Sequence, residues 1–302
     1  MTEFHRAYGL CIDSRIALPE LDRCSCPEGG PDLTILAGDV PETPCATEGW
    51  RVISPFVQVA EGRFWLHVPG VARFTAEYGR LIRVDPCAGV DAGSVRVFLL
   101  GSVLGAILFQ RGFLLLHGNA IDIDGRTMVC IGVSGSGKST LAAAFAARGY
   151  RLLSDDVVPV DADCAAIPGI PRIKLWQDSA ERLDIATASL DRIRPGLAKF
   201  NLPVRDSFSE TPLPIRWIYI LAPDNNTDIT LTAISGLDRF QPLLSHTYRR
   251  RFMEGMALQP EHLHRCGALA GKVHLARVRR PVTGFDVDGL VDALLADMER
   301  AG

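Results

Sequence analysis

Residues 132–139 read Gly132-Val133-Ser134-Gly135-Ser136-Gly137-Lys138-Ser139, followed by Thr140. The spacing is G-x-x-x-x-G-K-[ST] without a mismatch. Its chemistry is anion binding. Glycines let successive backbone N–H groups turn inward on phosphate oxygens, because no Cβ blocks that conformation. A helix beginning where the loop ends adds the positive end of its dipole. Lys138 offers a point charge to the outer phosphates, and the Ser139 hydroxyl offers a ligand to Mg²⁺. From average residue usage, a chance match in a chain this long is expected about once in a hundred. Gly132 through Thr140 are therefore read as the residues that hold ATP.

A triphosphate site does not fix a reaction. Transfer to a hydroxyl also needs a carboxylate to orient and deprotonate the acceptor, and another to hold the cation. Asp155-Asp156 closes the next strand-like run, RLLSDD. A strand following the loop's helix ends beside the loop, since ligands bind at the carboxyl ends of such strands. Adjacent strand residues point to opposite faces, so both acids serve one site only where the strand ends or bends. His117-Gly118, one hairpin upstream of the loop, is a third candidate. Two other classes compete. In one, Asp224 at the end of RWIYILAPD binds the metal, Asp155-Asp156 is structural, and the chain is an ATPase or nucleotide sensor. In the other, a regulatory binding protein keeps the loop for allostery.

The elements around these residues suit the task. TMVCIGV is strand-like and STLAAAFAARG is helical, with Gly149 placed to stop it. Strand, loop, helix and strand make a βαβ unit, which predicts an α/β layer architecture. FLLLHGNAIDIDGRTMVCIGV reads as two strands joined by a turn at Asp124-Gly125. Helices are predicted at Leu175–Ala186, with Asp178 and Glu181 as a variant capping box, and at Val287–Arg300. Arg216–Leu221 reads as a buried strand. Further upstream, short β-leaning segments occupy Leu33–Leu36, Arg51–Ile53, Val57–Val59, Phe64–Val68, Arg73–Glu77 and Leu81–Val84. The last two flank a hairpin at Tyr78-Gly79-Arg80. The expected organisation is a mainly-β accessory or substrate-recognition domain over 1–93 and a catalytic domain over 94–302, linked by PCAGVDAGS.

Composition sets outer bounds. The 302 residues carry a net charge of −3, with 47% hydrophobic and 22% charged. A disordered or collagen-like chain is excluded, and nucleic-acid binding gains no support. MTEFHRAYGL has no basic stretch leading into an apolar one, so a cytoplasmic chain without an export signal is expected. VFLLGSVLGAILF, between Arg96 and Arg111, spans about 20 Å as a helix, short of the ~30 Å hydrocarbon core. It reads as a core helix, with no membrane partner. Cys11, Cys24, Cys26, Cys45, Cys87, Cys130, Cys164 and Cys266 contain no CxxC and read as free thiols. His262 and His264 read as surface residues. Arg172 and Lys174, beside Trp176, are expected near nucleotide or acceptor. Arg249-Arg250-Arg251 and Arg277, Arg279 and Arg280 read as solvated faces. Self-association is left open.

With HG at His117-Gly118, the hairpin IDIDG, the loop GVSGSGKST and then RGYRLLSDD, the sequence resembles the HPr kinase/phosphorylase family of bacterial protein serine kinases. The resemblance covers roughly Val95 to Val160. It implies a P-loop kinase core of that type, a mixed sheet with helices, with ATP and Mg²⁺ as cofactors. It also implies roles. Asp155 handles the seryl proton, Asp156 holds the metal with Ser139, Lys138 serves the phosphates, and His117 lies near Asp155. The family's later Arg-containing glycine-rich segment has no counterpart here. The whole-chain layout, through AYGLCIDSRIALPEL, LLGSVLGAILFQRGFLLLHGNAI and PRIKLWQDSAERL, is similar to the HPr-kinase-like proteins encoded beside lasso-peptide biosynthesis genes. That implies phosphorylation of the C-terminal serine of a ribosomally made precursor peptide. An HPr-type carrier protein is the other acceptor considered.

Overall fold

The computed structural model describes residues 3–44, 49–225, 228–282 and 286–301. Cys45 lies outside them. The chain forms two compact units. The first comprises Met1–Leu115, Ile193–Leu197 and Tyr248–His262; the second comprises Leu116–Arg192, Ala198–Thr247 and Leu263–Gly302.

The first unit is built on a nine-stranded sheet. Its strand order is Asp22–Arg23, Glu3–Ala7, Leu10–Ser14, Leu33–Ala37, Leu81–Pro86, Ala72–Glu77, Arg63–Val68, Val57–Ala60, Arg51–Ser54. All six upstream segments with β-leaning sequence form strands. The turn at Tyr78-Gly79-Arg80 forms too, because Tyr78 and Gly79 both take positive φ, 50° and 69°. Against this sheet lies the apolar helix Ala92–Gln110, with 67% of its most apolar stretch buried. Asp91 caps it, accepting from Ser94 N at 2.8 Å, and Leu99–Val103 is π-helical. Gln110 ties its far end to the sheet. Its Oε1 accepts from Gly79 N at 2.7 Å, and its Nε2 donates to the Ala76 carbonyl at 3.0 Å. The two units therefore divide after Leu115, not at 93/94, and part of the expected linker is the helix's cap and first turn.

The second unit holds a mixed sheet. In order, its strands include Val158–Val160, Ala165–Ala166, Leu213–Asp224, Arg126–Gly132, Gly118–Ile123 and Arg151–Asp155. His274–Pro281 runs parallel to Leu213–Asp224, and Thr230–Ala233 pairs with it in turn. The Asp124-Gly125 turn closes the expected hairpin, with Ile123 opposite Arg126. The βαβ expectation needs correction. Arg126–Gly132 and Arg151–Asp155 run the same way but do not pair. Gly118–Ile123 sits between them, antiparallel to both. The parallel neighbour of the loop strand is instead Leu213–Asp224, with Gly132 opposite Leu221.

The helix Lys138–Ala147 and the C-terminal helix Val287–Ala301 cover this sheet together. Leu141 and Phe145 share a core with Leu290, Val291 and Leu294, all fully buried. Fully burying such a side chain is worth about 1.5–3 kcal/mol. Gly149, at φ 87°, ends the first helix as expected.

The helix expected at Leu175–Ala186 is shorter. Leu175 and Trp176 are strand residues, opposite Phe200 and Lys199 in a two-stranded sheet, and the helix spans Gln177–Arg182. Burial of Leu175 decides this, because strand alternation turns it inward. The helix has no side-chain cap. His262, expected on the surface, is 4% exposed. Among the described residues no three His, Cys, Asp or Glu side chains group as a metal set.

Candidate active site

The loop strand ends at Gly132, whose φ is 155°. A Cβ there would lie 2.6 Å from the Leu221 carbonyl oxygen and 2.8 Å from Ser136 Oγ. Only glycine lets the chain leave the sheet this close to its parallel neighbour. Gly137 takes φ 97° at the helix N-cap, so the turn into Lys138–Ala147 also falls on a glycine. Lys138 is 8% exposed. Its Nζ donates to the Gly132 and Val133 carbonyls at 2.8 and 3.0 Å, folding the side chain back over the loop. Burial draws its pKa below the usual lysine value, against the pull of Asp155 and Asp156.

The acid pair stands beside this loop. Ser139 Oγ donates to Asp155 Oδ1 at 3.2 Å, and Lys174 N donates to Asp155 Oδ2 at 2.8 Å. The strand ends at Asp155, and Asp156 takes φ 73°. That bend overcomes strand alternation, so successive carboxylates reach one cavity. Asp156 Oδ2 accepts from Lys174 Nζ at 2.6 Å. His117 Nδ1 lies 2.9 Å from the Asp156 carbonyl oxygen and 3.5 Å from its Oδ1. Burial holds the pKa of His117 below the imidazole norm, so the neutral ring donates to the carbonyl.

Environment drives the two carboxyls apart. Burial raises Asp155. Burial opposes ionisation of Asp156 as well, but the Lys174 ammonium outweighs it by charge and hydrogen bond. Asp156 is therefore held well below the carboxylate range. Two acids with opposed shifts in one site fit two different tasks.

The cavity has a volume of about 530 Å³. His117, Ser134, Gly135, Gly137, Lys138, Ser139, Thr140, Asp155 and Asp156 line it. Of the other loop residues, Gly132 and the fully buried Ser136 shape the turn, and Val133 is exposed. Lys174, Trp176, Asp178, Ser179, Arg182, Lys199 and Arg280 complete the wall. Lys138, Lys174, Arg182, Lys199 and Arg280 thus oppose three carboxylates. The positive surplus complements the residual charge of a Mg²⁺-bound triphosphate.

No protein-family model and no curated protein matches the chain. Among solved structures it is similar to the Hpr(Ser) kinase/phosphatase from Coxiella burnetii. The match has 13% identity and covers 61% of this chain and 95% of that one, with a TM-score of 0.32.

The rival acid, Asp224, is placed differently. It does end the strand beside the loop strand, but its carboxylate accepts from Asn225 N at 2.7 Å and lies 3.8 Å from Arg279. It does not line the cavity.

Several site residues escaped sequence reasoning. Arg280 belongs to a run read as solvated, yet it is 6% exposed and donates to the Ser136 carbonyl at 2.9 Å. Alternation along His274–Pro281 leaves Arg277 and Arg279 outside and buries Arg280. Asn119, fully buried, donates from Nδ2 to the Lys138 carbonyl at 2.6 Å. Its one sequence signal is an amide in the strand Gly118–Ile123, whose other polar residue is Asp122. Lys199 lies far along the chain in GLAKF and carried no signal at all.

Proposed function

We propose that this chain is an ATP-dependent kinase that phosphorylates a serine hydroxyl of a peptide or small protein. The supporting observation is the Ser139–Asp155 hydrogen bond, which joins the phosphate loop to the acid pair in one cavity. The residues suit ATP and Mg²⁺. The turn at Gly132 has no room for a side chain, and among the described residues Lys138 Nζ is held by loop carbonyls that phosphate oxygens can replace. Ser139 and Asp156 present the hydroxyl and carboxylate that Mg²⁺ takes alongside phosphates and water. Mg²⁺·ATP, when bound, supplies the transferable phosphoryl group.

The chain's own residues do the rest. Lys138 turns its ammonium from the loop carbonyls onto phosphate oxygens. Lys174 N–H fixes Asp155 Oδ2, and Oδ1, which accepts from Ser139 Oγ and keeps a second lone pair, orients the acceptor hydroxyl and takes its proton. The raised pKa of Asp155 makes it a better proton acceptor than an ordinary carboxylate. Lys174 keeps Asp156 ionised, and His117 braces the bend that aims it. Positioning and electrostatics provide most of the acceleration in such a site.

The favoured acceptor is the C-terminal serine of a ribosomally made precursor peptide, on the strength of the sequence resemblance. An HPr-type carrier is the second. The sequence reading puts the reaction in the cytoplasm. Transfer of ³²P from γ-labelled ATP to each acceptor, with wild-type protein and Asp155→Asn, tests the reading. Label on neither acceptor would refute it.

A further inference from the structure

Three lysines line the cavity, and they differ in what holds them. Lys138 Nζ is taken by two loop carbonyls, and Lys174 Nζ by Asp156. Lys199 Nζ makes no hydrogen bond or ion pair to any described residue. It rests over the Trp176 ring, 5.3 Å from the centroid. Trp176 lies directly opposite Lys199 in the sheet formed by Arg172–Trp176 and Lys199–Pro203. Alternation puts Lys174, Trp176 and Lys199 on the face lining the cavity, while Ile173, Leu175 and Phe200 are buried on the other. The bond from Lys174 N to Asp155 Oδ2 pins that face to the acid pair.

An ammonium drawn partly out of water, with no acceptor among the described residues, is placed to be met by a ligand entering the cavity. Its charge is felt at His117, Lys138, Asp155 and Asp156 together. In the phosphotransfer reading, one anion could meet all of these groups, the outermost phosphate of a bound nucleotide. We propose that Lys199 is a second catalytic lysine, whose ammonium binds the oxygens of that phosphate opposite Lys138 and stabilises the charge of the transferred group. Trp176 is its positioning residue. The assignment rests on the phosphotransfer reading, but its test is a binding measurement.

Wild-type protein, Lys199→Met and Lys199→Arg are titrated by calorimetry with ADP and with AMP-PNP, both in Mg²⁺. A hydrogen bond to a charged group predicts that Lys199→Met loses about 10- to 100-fold in AMP-PNP affinity. ADP affinity should stay within about twofold, because ADP lacks the outermost phosphate. It also reports that the loop is folded. Lys199→Arg should recover most of the loss. Equal weakening of both nucleotides, or no weakening of either, overturns the proposal. So does intact AMP-PNP affinity with a raised KM for the acceptor peptide, which would assign Lys199 to the acceptor. If wild-type protein binds both nucleotides but transfers no phosphate, the kinase reading fails while the AMP-PNP to ADP ratio still judges Lys199.

Discussion

Asp155→Asn separates catalysis from folding more sharply than any other single change. The amide is isosteric with the carboxylate. Its oxygen still accepts from Lys174 N, and its NH₂ donates to Ser139 Oγ, reversing that bond. What disappears is the proton acceptor. Removing a positioned base costs about 10²- to 10⁴-fold in rate, or about 3–5 kcal/mol of barrier. Nucleotide affinity should stay near wild type, because Lys138 and the loop are untouched. Stability should move the other way. Burial raises the folded-state pKa of Asp155. Its contribution to stability is therefore full below the unfolded carboxylate pKa and is lost as pH rises through the folded one. At neutral pH the wild type carries that cost and the amide does not. Relieving it should raise Tm at neutral pH, the sign following from the direction of the Asp155 shift. The gain should vanish in acid, where Asp155 is protonated in the wild type. Calorimetry across pH, with single-turnover transfer from labelled ATP, reads both effects. Transfer reduced less than tenfold, or a lower Tm at neutral pH, would refute the reasoning.

Four further outcomes follow from the same geometry. Gly132→Ala should abolish nucleotide binding and cost about 1–3 kcal/mol by overpacking, read by titration and denaturant unfolding, because its Cβ meets the Leu221 carbonyl. Asp224→Ala should leave Mg²⁺-dependent turnover within about twofold, since its charged neighbour Arg279 is an exposed partner; lost turnover would revive the ATPase reading. Lys174→Met should raise the Mg²⁺ concentration needed for half-maximal transfer, because Asp156 loses the ammonium that keeps it ionised. The acid limb of the kcat–pH profile should lie above the ordinary carboxylate range, because Asp155 must lose its proton to act; a limb at ordinary carboxylate values would remove Asp155 from that role.

The site was legible where chemistry is local in sequence. The loop needs specific residues at fixed spacing, and Asp155-Asp156 closes the next strand of the same unit. Two adjacent acids can serve one cavity only where the strand bends, and the positive φ of Asp156 is that bend. The pairing partner of the loop strand was not legible. Leu213–Asp224 joins it from more than eighty residues away, and nothing near Gly132 records that. The polar residues that follow Trp176 mimic a helix start, while burial of Leu175 favours the strand in which both residues lie. Lys199 and Arg280 reach the cavity only through strand pairing, so no motif could have shown them.

The antiparallel strand Gly118–Ile123 has a practical consequence. It puts His117, Gly132 and Asp155 at one end of three adjoining strands, and the Asp124-Gly125 turn at the other. Asp124 and Gly125 are exposed, and a Cβ on Gly125 would meet nothing within 4 Å. That turn is an insertion port. A fluorophore-bearing loop or affinity tag grafted there would sit at the end of the sheet away from the candidate cavity, on the same ribbon that lines it. It would report on the strands that line the cavity without entering it.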